Sequence, residues 1–290
     1  MHKVQVKGIL SSSNGINIYR GCTHGCIYCD SRSICYGMNH LFEDIEVKEN
    51  AAELLEVAIK KKRKKCMIGT GAMSDPYMHL EEELGNTRKC LQVIERYGFG
   101  VSILTKSTRI LNDSDLLISI NDKAKCVVQV TLTTHDENLC KIIEPNVSTT
   151  KERVNMLKKF RDIGIPTVVW LCPFLPFIND TEENIKELMN YCIEAKVKGI
   201  VLFGIGVTLR EGNREYFYKQ LDIHFPGLKE MYIKKYGNSY NLVSDNHYKL
   251  MEIITDTCRK NSIMCDIKEV FDYLRTFDEK NKEEQVEFDI

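Results

Sequence analysis

The sequence predicts an α/β fold whose parallel sheet is covered on both faces, and three observations carry that expectation. Six short apolar runs alternate with helical patterns, glycine or proline punctuates most of the joins, and the intervening helices are about 10 to 15 residues long. Strands linked in this way take right-handed crossovers and lie parallel. Sheet curvature is not readable from the pattern.

The first run, Ile16-Asn17-Ile18-Tyr19, leads into Gly21-Cys22-Thr23-His24-Gly25-Cys26-Ile27-Tyr28-Cys29. Between Glu49 and Lys62, Ala52, Leu55 and Ile59 recur at helical spacing, and Cys66 to Gly71 follows as a strand ending in glycines. The next helix, from Asn86 to Tyr97, groups Cys90, Leu91 and Ile94 and stops at Gly98, before a strand from Gly100 to Thr105. A helix from about Asp113 leads to a strand from Cys126 to Thr133. Another starts near Ser148 or Thr149, runs through Val154, Leu157 and Phe160, and ends at Gly164-Ile165-Pro166 before the strand Thr167 to Leu171. Asp180 with Glu183 three residues later reads as a capping box opening a helix to about Ala195, and Gly199 to Phe203 is the sixth strand. The rhythm stops after Gly206. An amphipathic stretch to Phe225-Pro226-Gly227 and a helix from Asp245 to Lys260 predict a helical extension, residues 207–290, capping a core of residues 1–206. The end from Asp278 to Glu287 reads as solvated.

Composition limits the function classes. The 290 residues, 43% apolar, suffice for one sizeable core. Forty basic and 41 acidic side chains nearly cancel, so global charge does not favour nucleic acid. The amino terminus has no apolar core of signal length and no run reaches the ~18 residues of a membrane span, which predicts a cytoplasmic protein with no membrane association. Twelve cysteines in so long a chain fit a reducing compartment better than a disulfide scaffold.

Cys22, Cys26 and Cys29, spaced C-x3-C-x2-C, can turn three sulfurs toward one point, and Gly21 and Gly25 let the loop curl. Three thiolates leave one iron of a 4Fe-4S cluster open to a small molecule, whereas a structural zinc site wants four protein ligands. An ordinary zinc knuckle and plain reduced thiols are the competing readings.

With Tyr28 just before the last cysteine, this loop resembles that of radical S-adenosylmethionine (SAM) enzymes. The resemblance implies a partial (β/α)6 TIM-like barrel, a 4Fe-4S cluster on Cys22, Cys26 and Cys29, SAM on the open iron, and a reducing electron donor such as flavodoxin or ferredoxin. In such barrels the chemistry sits at the carboxyl ends of the strands. A narrower resemblance runs from about Asn17 to Asp180: Ser74-Asp75-Pro76-Tyr77, Thr87-Arg88, Thr105-Lys106-Ser107, Asp113 to Leu117 and Glu144-Pro145 occur in the order of spore photoproduct lyase-like radical SAM proteins. It implies that SAM meets Ser74, Asp75, Lys106 and Thr133, with Lys106 neutralising its carboxylate and Tyr28 near its adenine. Residues 19–33 and 208–217 resemble the subgroup called radical SAM mobile pair protein B, which implies a second radical SAM protein as a partner and names no reaction.

Two departures bear on substrate. Where the lyase family has a hydrogen-donating cysteine and a relay tyrosine, this chain has Ala72 and Asp30, and a methyl group does not replace the weak S–H bond. The resemblance therefore implies the cofactor chemistry without the lesion repair, and the catalytic residues facing the substrate stay unassigned. Cys35 and Cys172 near strand exits, His24 and His135 beside the site, and Arg210 and Arg214 in the extension are further candidates; each also fits a structural role. The run Lys60 to Lys65 offers a nucleic-acid patch, or a solvated helix end on the side remote from the site. Two alternatives to a radical enzyme of unidentified substrate follow: a non-catalytic iron-sulfur redox or partner-assisting protein, and a radical enzyme that modifies nucleic acid.

Overall fold

Six strands hydrogen-bond side by side in chain order in the structure, a computed structural model that describes residues 1–280. They are β1 (Gly15–Ile16), β2 (Met67–Thr70), β3 (Gly100–Thr105), β4 (Cys126–Thr131), β5 (Thr167–Trp170) and β6 (Gly199–Val201). Every pairing is parallel. Neither β1 nor β6 pairs with the other, so the sheet is an open, partial barrel.

The crossover helices are α1 (Ala51–Lys60), α2 (Asn86–Arg96), α3 (Ser114–Lys123), α4 (Thr150–Asp162) and α5 (Glu182–Glu194). Sequential strand order with right-handed crossovers puts all of them on one face. The core agrees: Leu55, Leu91, Leu117, Leu157 and Leu188, one from each helix, share a cluster with Ile68, Ile103, Val128, Val169 and Ile200 of the strands. Alternate strand residues point the other way. Met67, Val127, Val168 and Val201 meet Val270 and Leu274 of the helix Ile267–Arg275, so the extension, not further crossovers, covers the inner face.

Local signals set the boundaries. The start of α4 is fixed reciprocally, with Glu152 N–H donating to Thr149 Oγ1 (3.4 Å) and Thr149 N–H to the Glu152 carboxylate (2.7 Å). Three expectations need correction. The cap of α5 is Thr181, which accepts from Asn184 N–H at 3.2 Å; Asp180 instead accepts from Ser244 Oγ of the extension at 2.5 Å. The first strand is split: Gly15–Ile16 joins the main sheet, while Tyr19–Arg20 pairs antiparallel with Glu46–Lys48, which also pairs with His2–Val4 in a small side sheet. A short helix, Glu137–Ile143, occupies the connection after β4, where its brevity left no periodic signal.

In the extension β7 (Gly206–Thr208) and β8 (Asn241–Val243) form an antiparallel pair flanked by helices α6 (Asn213–His224) and α7 (Leu228–Tyr236). Val207, Phe217, Leu221, Tyr232 and Leu242 pack in one cluster with Cys26, Ile27 and Tyr28. The extension thus buries the back of the cysteine loop. His247–Lys260 is helical, close to expectation. Of the solvated end expected over Asp278 to Glu287, the part from residue 281 lies outside the described residues. Among those residues no helix is long and apolar enough to cross a membrane.

Candidate cofactor site

The cysteine loop lies where the strands end. Cys22 N–H donates to Phe42 O (3.0 Å), and Gly21 has φ +86° in a place where a Cβ would stand 2.4 Å from that same oxygen. Only glycine fits there. The next anchors come from the end of the helix Glu137–Ile143 and the residues after it: Ile27 N–H donates to Ile143 O (3.0 Å), Asn146 N–H to His24 O (3.1 Å) and Asn146 Nδ2 to Thr23 O (2.9 Å). From the exit of β2, Ser74 Oγ donates to Gly21 O at 2.5 Å. The loop is therefore held from three sides.

Cys22 and Cys26 are buried and Cys29 half-buried. Burial, then the neighbouring Asp75 and Cys29, pushes the Cys22 thiol up to about 12; burial also drives Cys26 well upward, against the pull of Lys106. Without a cation these are thiols, and a bound metal would deprotonate them outright.

Two carboxylates organise the floor. Asp75 accepts from Tyr77 N–H (2.8 Å), Thr105 Oγ1 (2.7 Å) and Lys106 N–H (2.7 Å), and lies 3.4 Å from His24 Nδ1. It binds the exits of β2 and β3 to the loop. Glu144, fully buried, faces Arg153 at 2.5 Å and accepts from the Tyr28 hydroxyl, while Arg153 also donates to Thr131 O at 2.7 Å. Burial would raise the Glu144 carboxyl, but Arg153 and Lys106 outweigh it and hold it below the usual range. Such a pair is costly to break because it leaves a charge buried alone.

Several groups at the rim remain uncommitted, Arg153 Nε among them. His24 Nε2 and Thr133 Oγ1 are buried without a hydrogen-bond partner, although Asn179 and Asn184 pin the Thr133 carbonyl at 2.8 and 3.0 Å. Lys106 Nζ sits 5.9 Å from the centre of the Tyr28 ring. Burial opposes its charge, but Cys26, Glu144, Asp75 and Cys29 together keep its pKa raised. Unpaired buried polar atoms are rare in native folds, and here one belongs to the cysteine loop itself and one to the exit of β4. The donor set therefore fits a cluster with an anionic ligand beside it.

Of the residues singled out in the sequence, Tyr28, Asp75 and Lys106 converge with the cysteines, Ser74 braces the loop, and Thr133 keeps a free hydroxyl at the exit of β4. Cys172, half-buried after β5, feels Lys106 and is pushed by burial to about 12. His135 is held by Asn184, which accepts from its backbone N–H at 2.8 Å and lies 3.0 Å from Nδ1. Cys35 is exposed. Arg210 donates to Tyr240 Oη (2.8 Å), Tyr36 Oη (3.2 Å) and Cys35 Sγ (3.4 Å); Arg214 donates to the carbonyls of Leu209, Gly237, Asn238 and Ser239. The Lys60 to Lys65 run spans the end of α1 and the approach to β2, at the amino side of the sheet, with Lys62 Nζ on Asn14 Oδ1 at 2.6 Å. Sequence reasoning picked out Glu144 through the family pattern but missed its partner Arg153, whose signal was an arginine on the apolar stripe of α4.

An open parallel barrel with three thiols at its carboxyl rim defines a cofactor-dependent class of iron-sulfur proteins. The family model of the Radical SAM superfamily matches residues 16–192, more than half of the chain, and the protein belongs to that superfamily, whose members are enzymes that hold a 4Fe-4S cluster and SAM. It is 27% identical over 244 residues to the uncharacterized protein Rv2578c of Mycobacterium tuberculosis, covering 81% of this chain and 71% of that one. It is 33% identical over 174 residues to the uncharacterized protein MJ0683 of Methanocaldococcus jannaschii, covering 59% and 64%. In structure it is similar to a cysteine-to-alanine variant of spore photoproduct lyase with dinucleoside spore photoproduct, at a TM-score of 0.64 and 15% identity, over 91% of this chain and 79% of that one. At that identity the likeness is one of fold.

Proposed function

We propose that this chain cleaves SAM reductively and starts radical chemistry on a substrate other than the thymine lesion of spore photoproduct lyase. The observation that carries the reading is a set of uncommitted groups at the strand ends: Lys106 facing Cys26 and Cys29, His24 Nε2 within the cysteine loop, and Thr133 Oγ1 at the exit of β4. When bound, the reduced cluster supplies the electron that splits SAM into methionine and a 5'-deoxyadenosyl radical able to take a hydrogen atom from the substrate. Cys22, Cys26 and Cys29 would hold the irons. Lys106 would neutralise the SAM carboxylate as a compact charge, Thr133 Oγ1 and His24 Nε2 would complete their hydrogen bonds on its polar groups, and Tyr28, its hydroxyl fixed by Glu144, would offer a ring edge. Asp75 would orient His24 and the Lys106 backbone.

Substrate differs from that of the structural neighbour because Ala72 and Asp30 stand where the lyase family places its hydrogen donor and relay tyrosine. Asp30 here accepts from Tyr36 Oη at 2.6 Å and lies 3.7 Å from Arg210 of the extension. The nucleic-acid reading gains nothing from Lys60 to Lys65, which lie on the far side of the sheet. A flavodoxin or ferredoxin as reductant, a second radical SAM protein as partner, and a reducing cytoplasm suited to the twelve free cysteines belong to this proposal.

Anaerobic reconstitution should load about four irons per chain. Dithionite with SAM should then yield 5'-deoxyadenosine and methionine. A fully loaded cluster that forms neither, or a protein-ligated zinc ion in its place, would overturn the reading in favour of a non-catalytic metal protein.

A further inference from the structure

We propose that His2, His40 and Glu46 form a second metal site, on the side sheet, for a divalent first-row transition ion. Their donor atoms all lie within 4.8 Å of one another. His2 and Glu46 are direct partners on neighbouring strands, so their side chains leave the sheet on the same face. His40 arrives from the preceding loop, its ring 4.9 Å from that of His2 and nearly perpendicular to it. His40 and Glu46 are mostly buried, with side chains 14% and 16% exposed.

The hydrogen bonds, more than the proximity, point to a metal. His2 Nδ1 lies 3.0 Å from Asp44 Oδ2, and His40 Nδ1 lies 3.0 Å from Leu41 O. Both acceptors lack protons, so Nδ1 of each ring is the donor and Nε2 is the nitrogen that would be free to take an ion. A carboxylate or a carbonyl behind the imidazole is the usual way a metal-binding histidine is oriented. His40 Nε2 is buried with no hydrogen-bond partner, and the nearest carboxylate oxygen, on Glu46, is 3.8 Å away. Two imidazole nitrogens and one carboxylate at bonds of about 2.0 to 2.2 Å would sit roughly 3.3 Å apart, a closure that side-chain rotation supplies. A fourth position stays open to water.

The site abuts the cysteine loop without belonging to it. Glu46 is the strand partner of Arg20, two residues before Cys22, and Phe42, two residues after His40, supplies the carbonyl that receives Cys22 N–H. An ion here would tie residues 40–46 to the strand His2–Val4, on the side of Glu46–Lys48 away from the strand that feeds the loop.

The test uses the full chain, free of any polyhistidine tag, with its cluster loaded so that the three cysteines are occupied. Anaerobic titration with Co2+ should give one equivalent of visible d–d bands without thiolate charge transfer, removed by Zn2+. His40→Ala and Glu46→Gln should each weaken binding on the order of a hundredfold or more, and Asp44→Asn by about tenfold to a hundredfold, with iron content unchanged. X-ray absorption of the Zn2+-loaded wild type should show two imidazoles and no sulfur, a reading that needs no variant. Thiolate charge transfer, no d–d bands at one equivalent, undiminished binding in His40→Ala and Glu46→Gln, or sulfur in the absorption spectrum would each overturn the site. None of these outcomes depends on whether SAM is cleaved.

Discussion

The carboxyl rim of the sheet and the two arginines of the extension that leans on it use their polar groups in opposite ways. At the rim, His24 Nε2 and Thr133 Oγ1 are buried and unpaired. In the extension, Arg214 is spread over four carbonyls and Arg210 over two hydroxyls and a thiol. Leaving a buried polar atom unsatisfied costs about 1 to 3 kcal/mol, which a fold retains where a ligand later offsets it. A guanidinium with its donors engaged is a brace. The difference assigns ligand binding to the rim and support to the arginine pair, although sequence alone offered both as anion sites.

The largest effect expected from this contrast is on the thiols. Cys26→Ala should reduce loading from about four irons to a small fraction and abolish 5'-deoxyadenosine, while Cys258→Ala, in the core between α5 and the helix His247–Lys260, should leave iron content alone. Iron and sulfide analysis of the two variants checks it; equal loading would erase the distinction between rim and core cysteines. Next comes the buried pair. Glu144→Gln strands Arg153 without a counter-charge and should cost about 3 to 5 kcal/mol, read as a lower urea midpoint. Because the Glu144 carboxyl is held low in the folded state, its contribution is complete above the unfolded value of about 4.3 and disappears as pH falls through the folded value. The variant should therefore lose part of the stability change below about pH 4.3 as well as stability at neutral pH. A loss under about 1 kcal/mol would mean that the pair is not shielded as drawn.

Legibility in the sequence followed the range of the interactions. The six strands and five crossover helices were readable because each is written in local periodicity and stops, Gly98 and Gly164 among them, both at positive φ here. The cysteine loop was readable from spacing. The side sheet was not, since its pairings, Tyr19 with Val47 and His2 with Glu46, join segments far apart in the chain. The cover on the inner face was half legible: an amphipathic tail predicted a cap, but only the fold puts Val270 and Leu274 against Val127 and Val168. Within the site, Asp75 and Lys106 stood out through the family pattern, whereas their division of labour, one saturated by donors and the other uncommitted, depends on contacts no single sequence encodes.

That division sets the next prediction. Lys106→Met keeps the length of the side chain and removes the charge, so it should retain the cluster and weaken SAM binding by about tenfold or more, equivalent to about 1.4 kcal/mol. Equilibrium binding on the loaded protein measures it. An unchanged affinity would move the carboxylate of SAM elsewhere and leave Lys106 as a counter-charge to Glu144.

The smallest effect is expected across the boundary, in the arginine that looks most like an anion receptor in sequence. Arg214→Met removes donors that hold Leu209 and residues 237–239, joining the two ends of the β7–β8 segment, and should cost about 1 kcal/mol of stability because the group is partly solvated. SAM affinity and 5'-deoxyadenosine formation should stay within about twofold of wild type, since nothing in its surroundings is left for a ligand to complete. If instead the urea midpoint held and SAM cleavage collapsed, hydrogen-bond saturation would no longer separate brace from binding site, and Arg210, built on the same principle beside Asp30 and Cys35, would have to be reassigned with it.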